Sequence, residues 1–291
     1  MRFFFVFLFS LLQEKNIIIK LLKTVDKNTK KHSSLSLSPL SLSLSLVQYM
    51  RVAATGCVAS LSAMTMNSND TTNENKKSTK KRRVCALHGR GGSANSFSNF
   101  LQKIVEETED TVEWTFLDGP IDEGKMHKFT GNANGKALAW WVLPANTRTY
   151  SAEVLDGIEV SCERVTQEGP FDCLIGFSQG ATLSSVLCAR KCGCDEETKQ
   201  FESVVLVSGA RPGVGKEWER VQKEARFGAK KSLHVIGETD AINPKALGFE
   251  LAECFGGEEF GSEIVTHERG HIVPIDEERI VKKIIETLTG S

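Results

Sequence analysis

Three residues in this chain, Ser178, Asp240 and His271, have the types and the order needed to turn an alcohol into a nucleophile. Ser178 sits at the centre of Gly176-Phe177-Ser178-Gln179-Gly180, entered from the apolar run Phe171–Ile175. A Gly-x-Ser-x-Gly run of this kind makes a sharp strand-to-helix turn that lifts the hydroxyl clear of the backbone. The flanking glycines are required because a Cβ there would collide with the turn or the neighbouring strand. A bare match arises by chance, so the flanks decide. Cys173-Leu174-Ile175 is short, apolar and strand-like, while Leu183, Val186, Leu187 and Arg190 recur at helical spacing after it without a proline.

An unassisted hydroxyl is a poor nucleophile; an imidazole must take its proton, and a carboxylate must hold that imidazole in the right tautomer. Asp240 closes Gly237-Glu238-Thr239-Asp240, and His271 closes His267-Glu268-Arg269-Gly270-His271, each just beyond a strand-like run. Taken alone, His271 reads as a solvated loop histidine and Asp240 as a turn or cap residue before Pro244. Their joint placement in the order Ser, Asp, His is what favours a triad. Glu238 and His267 are the nearest competitors, and His267 lies so close to its strand that it reads as structural. Ser208 and Ser262 lack the glycine-flanked turn.

The elements that must position these groups alternate from residue 84 onward. Strands are expected at Val84–Leu87, Val112–Leu117, Cys173–Phe177, Val204–Ser208, Leu233–Gly237 and Glu263–Thr266. Helices are expected over Ala94–Glu107, Ser151–Gln167, the segment after Ser178, and near 215–226, 245–255 and 276–288, with an irregular excursion over Asp118–Asn146. Strands joined by helices imply an α/β fold, a parallel sheet covered on both faces by right-handed crossovers. Active groups then collect beyond the carboxyl ends of the strands.

The first such end is His88-Gly89-Arg90-Gly91-Gly92. Acyl transfer needs two backbone N–H groups aimed at the developing oxyanion, and Gln179 with Arg90 (or Gly91) would supply them. A phosphate cradle is the rival reading, but its lysine and Ser/Thr are missing. In the excursion, Trp140-Trp141 cannot both point into one core from a strand, so one is expected to line an apolar acyl pocket, against the alternative that both cover the sheet.

These residues resemble the FSH serine hydrolases, a compact branch of the α/β-hydrolase superfamily. The marks are Leu87-His88-Gly89, Phe116-Leu117-Asp118-Gly119-Pro120, Ala139-Trp140-Trp141, the Ser178 pentapeptide, Gly237-Glu238-Thr239-Asp240 and Gly270-His271-Ile272-Val273-Pro274. The resemblance covers most of residues 83–289. It implies a compact α/β-hydrolase fold with a six-stranded parallel sheet, a Ser178–His271–Asp240 triad, and carboxylesterase or thioesterase activity without cofactor or metal. The usual Gly-Gly before the base is Arg269-Gly270 here, which puts a charge near the expected entrance. Substrates implied are small acyl esters, or thioesters of CoA, carrier protein or protein cysteine. A non-catalytic binding domain would be the reading if a triad member were absent, and all three are present.

Composition bounds the rest. Residues 1–83 hold 14 Lys/Arg against 4 Asp/Glu, whereas residues 84–291 hold 22 against 33, so the expected folded part (83–291) is acidic and offers no footprint for nucleic acid. The eight cysteines show no disulfide framework and fit a reducing compartment, taken as the cytoplasm, with the nucleus open through the basic run Lys76–Arg83. Cys188, Cys192 and Cys194 read as free thiols, since no second ligand pair follows at zinc spacing.

Residues 1–82 are expected to be a low-complexity, disordered extension. The apolar run Phe3–Leu12 is too short for a span of about 20 residues, though it has the look of a secretion signal; Met50–Asn69 has a transit-peptide composition. Residues 34–47 alternate serine and leucine as an in-frame dinucleotide repeat would, so residues 1–49 are expected to be untranslated, with Met50 as the start. Mass spectrometry of the native protein should recover no peptide from residues 15–49; finding one there would overturn the expectation.

Overall fold

The computed structural model describes residues 80–124 and 137–291. The expectations for the apolar run, the Ser-Leu repeat, the Met50 start and the transit-like segment lie outside the described residues, as does the middle of the Asp118–Asn146 excursion. Within them, six strands form one wholly parallel sheet: β1 (Arg82–Leu87), β2 (Val112–Leu117), β5 (Cys173–Phe177), β6 (Ser203–Val207), β7 (Ser232–Gly237) and β8 (Ser262–His267). Their spatial order is β2-β1-β5-β6-β7-β8. The order reverses at β1, which makes the β1/β5 boundary the switch point where such sheets open a crevice. A short antiparallel pair, β3 (Ile121–Asp122) and β4 (Leu138–Ala139), spans the excursion.

Alternation along β1 shows why the sheet is covered twice. Cys85 and Leu87 join one core with Leu174, Val204 and Leu206, against α3 (Ile158–Glu168), α4 (Gln179–Arg190), α5 (Lys216–Glu224) and α6 (Lys245–Glu253). Val84 and Ala86 join the other with Ile175, Val205 and Val235, against α1 (Ala94–Phe100), α2 (Gln102–Glu107) and α7 (Glu278–Thr289). Strands buried on both faces must be apolar at every position, as Val204–Val207 is.

Two helices depart from expectation. The segment 94–107 is interrupted at Leu101, although amide bonds from Leu101 to Phe97 and from Val105 to Leu101 carry the ladder across. The helix expected from Ser151 starts only at Ile158. Val142 N–H donates to Asp156 O at 2.8 Å, pinning the chain in extended form, and Gly157 turns it at φ 95°. Among the described residues no helix is long and apolar enough to cross a membrane.

The closest backbone approach in the switch region is at Gly180, in the first turn of α4. A Cβ there would lie 2.0 Å from Leu87 O and 2.7 Å from His88 O. No side-chain rotation relieves a clash with backbone. Gly180→Ala should therefore cost about 3 kcal/mol of stability, read as a lowered urea midpoint; an unchanged midpoint would contradict this packing.

Candidate active site

Ser178 is the residue between β5 and α4, with φ 55° and ψ −114°. A non-glycine residue held there stores about 1–3 kcal/mol of strain. Its surroundings enforce it: Ser178 N–H donates to Val207 O at 2.9 Å, and Gly176 meets Gly180 so closely that a Cβ would lie 2.4 Å from its carbonyl.

Asp240 and His271 come from the loops after β7 and β8, with β6 lying between these strands and β5. His271 Nε2 lies 2.8 Å from Ser178 Oγ, and His271 Nδ1 lies 2.7 Å from Asp240 Oδ2. Nδ1–H donates to the carboxylate, which leaves the Nε2 lone pair facing the serine hydroxyl. Asp240 Oδ1 accepts the amides of Ile242 and Asn243, each at 2.8 Å. The Asp240 side chain is 1% exposed. Burial pushes its carboxyl up, but the His271 hydrogen bond and charge and the two amides outweigh it, holding the carboxyl below its ordinary range. Asn243 Nδ2 donates to Ser208 O at 2.7 Å and so ties the acid loop to the end of β6.

The loop that carries His271 is held against the one that carries Asp240. Gly237 lets it cross the end of β7, since a Cβ would stand 2.6 Å from Gly270 O. Thr239 Oγ1 donates to Glu268 O at 3.0 Å, and Arg269 pairs with Asp276 and Glu277. The Phe177 ring, 5.0 Å from the imidazole centroid, packs beside it.

The amides of Gln179 and Arg90 donate to no acceptor among the described residues. Gly91, the alternative to Arg90, is taken: its N–H donates to Leu138 O at 2.8 Å. The Arg90 side chain is turned into Glu123, with Nε 2.7 and 2.9 Å from the carboxylate oxygens.

The family model described as "Serine hydrolase (FSH1)" matches residues 77–283. The chain belongs to that family. Esterase OVCA2 of Homo sapiens is 35% identical over 209 residues, spanning 66% of this chain and 89% of the relative. Esterase OVCA2 of Danio rerio is 28% identical over 210 residues, spanning 66% and 90%. Among solved structures, esterase PE8 aligns at TM-score 0.55 and 18% identity over 72% of this chain and 93% of its own. Arabidopsis thaliana SOBER1 aligns at TM-score 0.51 and 19% identity over 72% and 99%. At such identities these two speak for the α/β-hydrolase fold alone.

In this FSH1 serine hydrolase the tryptophans require a correction. Trp140 and Trp141 are both 0% exposed and belong to the core beside α3 and α4, so neither presents a wall to an acyl pocket. The chain leaves strand geometry after Ala139, which frees the adjacent rings from pointing to opposite sides. The segment is instead a clamp on the start of α4. Gln179 Oε1 accepts Trp140 N–H at 2.9 Å, and Gln179 Nε2 donates to Trp141 O at 3.2 Å. Trp140 Nε1–H donates to His88 O at 2.8 Å, and Ser161 Oγ donates to Trp140 O.

His88, read earlier only as part of a Gly-rich loop, is a buried scaffold residue. Its Nδ1–H donates to Gly89 O at 2.8 Å and its Nε2 accepts Gly119 N–H at 3.0 Å. That arrangement requires neutral imidazole, and burial drives its pKa down despite the Gly89 bond and the Asp118 charge. His267 is also buried, at the end of β8, and neither of its ring nitrogens has a partner among the described residues. Glu238 is drawn off to Lys245, 2.5 Å away.

Asp240 supplies a pH dependence of known sign. Its folded-state pKa lies below the unfolded value, so its ionisation stabilises the fold fully above about pH 5 and less as pH falls through the depressed value. Asp240→Asn should remove that part of the acid limb. Urea midpoints of both proteins between about pH 2 and pH 6 should converge at the acid end; parallel curves would contradict the assignment.

Proposed function

We propose that this chain hydrolyses carboxylic esters of small acyl substrates through an acyl-enzyme on Ser178. His271 is general base and acid, Asp240 orients it, and the Gln179 and Arg90 amides receive the oxyanion. The observation that carries this reading is the continuous hydrogen-bond chain from Ser178 Oγ through His271 to Asp240, at 2.8 and 2.7 Å. Membership of a serine hydrolase family and relatives named esterases support the ester class.

In the first half-reaction His271 Nε2 takes the Ser178 proton as Oγ attacks the carbonyl carbon. The imidazolium is stabilised by the Asp240 carboxylate, already ionised and buried against it. Two backbone amides free of other acceptors meet the developing alkoxide without reorganising, where each such donor contributes about 3 kcal/mol. Collapse expels the alcohol, which takes its proton from Nε2. Water then repeats the attack on the acyl-enzyme, with His271 again as base, and releases the acid. The strained turn at Ser178 holds the hydroxyl out toward the base through both halves.

A fluorophosphonate probe should label Ser178 and fail on Ser178→Ala. Asp240→Asn should lower kcat by about 10⁴-fold, because the carboxamide favours the wrong tautomer. Normal turnover in Ser178→Ala would overturn the assignment. Assaying matched p-nitrophenyl esters and acyl thioesters side by side measures ester against thioester preference; a rate on thioesters alone would replace the ester reading with the thioesterase one.

A further inference from the structure

Arg90, whose amide is one of the two left without an acceptor, stands in a loop with almost no side chains to hold it. Its neighbours are Gly89, Gly91 and Gly92. The four residues make a tight turn. Gly92 N–H donates to Gly89 O at 3.0 Å, and Gly91, at the third position, has φ 76°, as a type II turn requires. Glycine gives such a turn its shape, but it also leaves the backbone freer than any other residue does. A donor that must meet a developing oxyanion without reorganising needs that freedom removed.

Much of it is removed by the β3–β4 pair. Gly91 N–H donates to Leu138 O at 2.8 Å, and Leu138 N–H donates to Gly92 O at 3.0 Å. These bonds fix the far half of the turn. At the near end, Gly89 packs against Phe177 and Ser178. Arg90 is the corner between the two, and its side chain is the only one in the turn.

That side chain is tied to Glu123. Nε lies 2.7 and 2.9 Å from the two carboxylate oxygens, and Nη2 lies 2.6 Å from Oε1. A guanidinium forked onto a carboxylate resists rotation as well as separation. The Glu123 side chain is 11% exposed, so water competes little for it. Glu123 is itself fixed through its backbone. It follows β3 directly, and its N–H donates to Ala137 O at 2.9 Å, which carries the β3–β4 ladder one residue further. The hairpin that holds Gly91 and Gly92 by backbone thus reaches Arg90 by a side chain.

On the ester-hydrolysis reading of this site, we propose that Glu123 is a positioning residue for the oxyanion, holding the Arg90 side chain so that the Arg90 N–H stays aimed beside Ser178. It acts through Arg90: among the described residues no hydrogen bond joins Glu123 to Ser178, His271 or Asp240. Its effect falls on the transition state, because only the alkoxide needs both amides at short range, whereas the bound ester does not. Losing the anchor leaves the amide present but poorly aimed. The cost is therefore smaller than the roughly 10²-fold or more of deleting a donor outright.

The test is steady-state hydrolysis of a p-nitrophenyl ester by the full chain, with inhibition by an alkyl boronic acid. The tetrahedral boronate on Ser178 puts an oxygen where the oxyanion would stand. Glu123→Leu should lower kcat by about tenfold with KM unchanged, and weaken the boronic acid by the same factor. Glu123→Gln keeps one acceptor for Nε–H and should lose less; it also serves should the leucine variant misfold. Arg90→Met should match Glu123→Leu, and the double variant should be no worse than either single one, since both break the same link. The acid limb of the kcat/KM profile should stay where the parent has it, because the His271–Asp240 pair is untouched. An unchanged kcat in Glu123→Leu, a rise in KM alone, losses that multiply in the double variant, or a displaced acid limb would overturn the proposal. A parent chain with no esterase turnover would instead remove the ester reading, and the assignment with it.

Discussion

The crossing of Gly180 over the carbonyls of Leu87 and His88 is the constraint on which the site depends. It brings the first turn of α4 onto the end of β1, the strand beside β5 at the switch point. Ser178 then has too little chain to turn in any relaxed conformation, which is why its φ is positive. The same contact places the loop after β1 against Ser178: a Cβ on Gly89 would lie 2.9 Å from the Phe177 ring and 3.3 Å from Ser178 Cβ. The hydroxyl and the Arg90 amide are therefore parts of one packed unit, and neither can shift without the other.

That unit is braced from the excursion side. Gln179 joins Trp140 and Trp141 to the helix start, Trp140 joins His88, and His88 joins Gly119 just beyond β2. All these donors and acceptors are buried, so each would cost about 1–3 kcal/mol if orphaned. The buried imidazole here serves as a neutral spacer with one donor and one acceptor, unlike His271, which stands between Ser178 and Asp240.

What the sequence disclosed follows the range of the interactions. The inner strands were legible because both-face burial makes runs such as Val204–Val207 wholly apolar, and the Ser178 turn because its glycines stand within five consecutive residues. Asp240 and His271 were legible only as polar residues beyond strand ends, and the structure brings both to Ser178. Asn243 was missed, although an Asp three residues before an Asn is a turn signal of the kind that caps a carboxylate with amides. The Gln179 clamp and the role of His88 had no local signal, since their partners lie 31 to 52 residues away. The choice between a pocket wall and a core position for Trp140 and Trp141 had no local signal, because the chain bends after Ala139, and α3 starts late because a distant bridge, Val142 to Asp156, overrides helical spacing.

The three groups are unequally anchored. Ser178 follows a strand with neighbours on both sides, whereas His271 follows β8, the outermost strand, bonded to β7 alone. Fraying of that margin would carry the His271 imidazole off while Ser178 stayed in register. Heat should thus silence the enzyme some degrees before the calorimetric transition, and cooling should restore it, because the half of the site that is hardest to build never came apart.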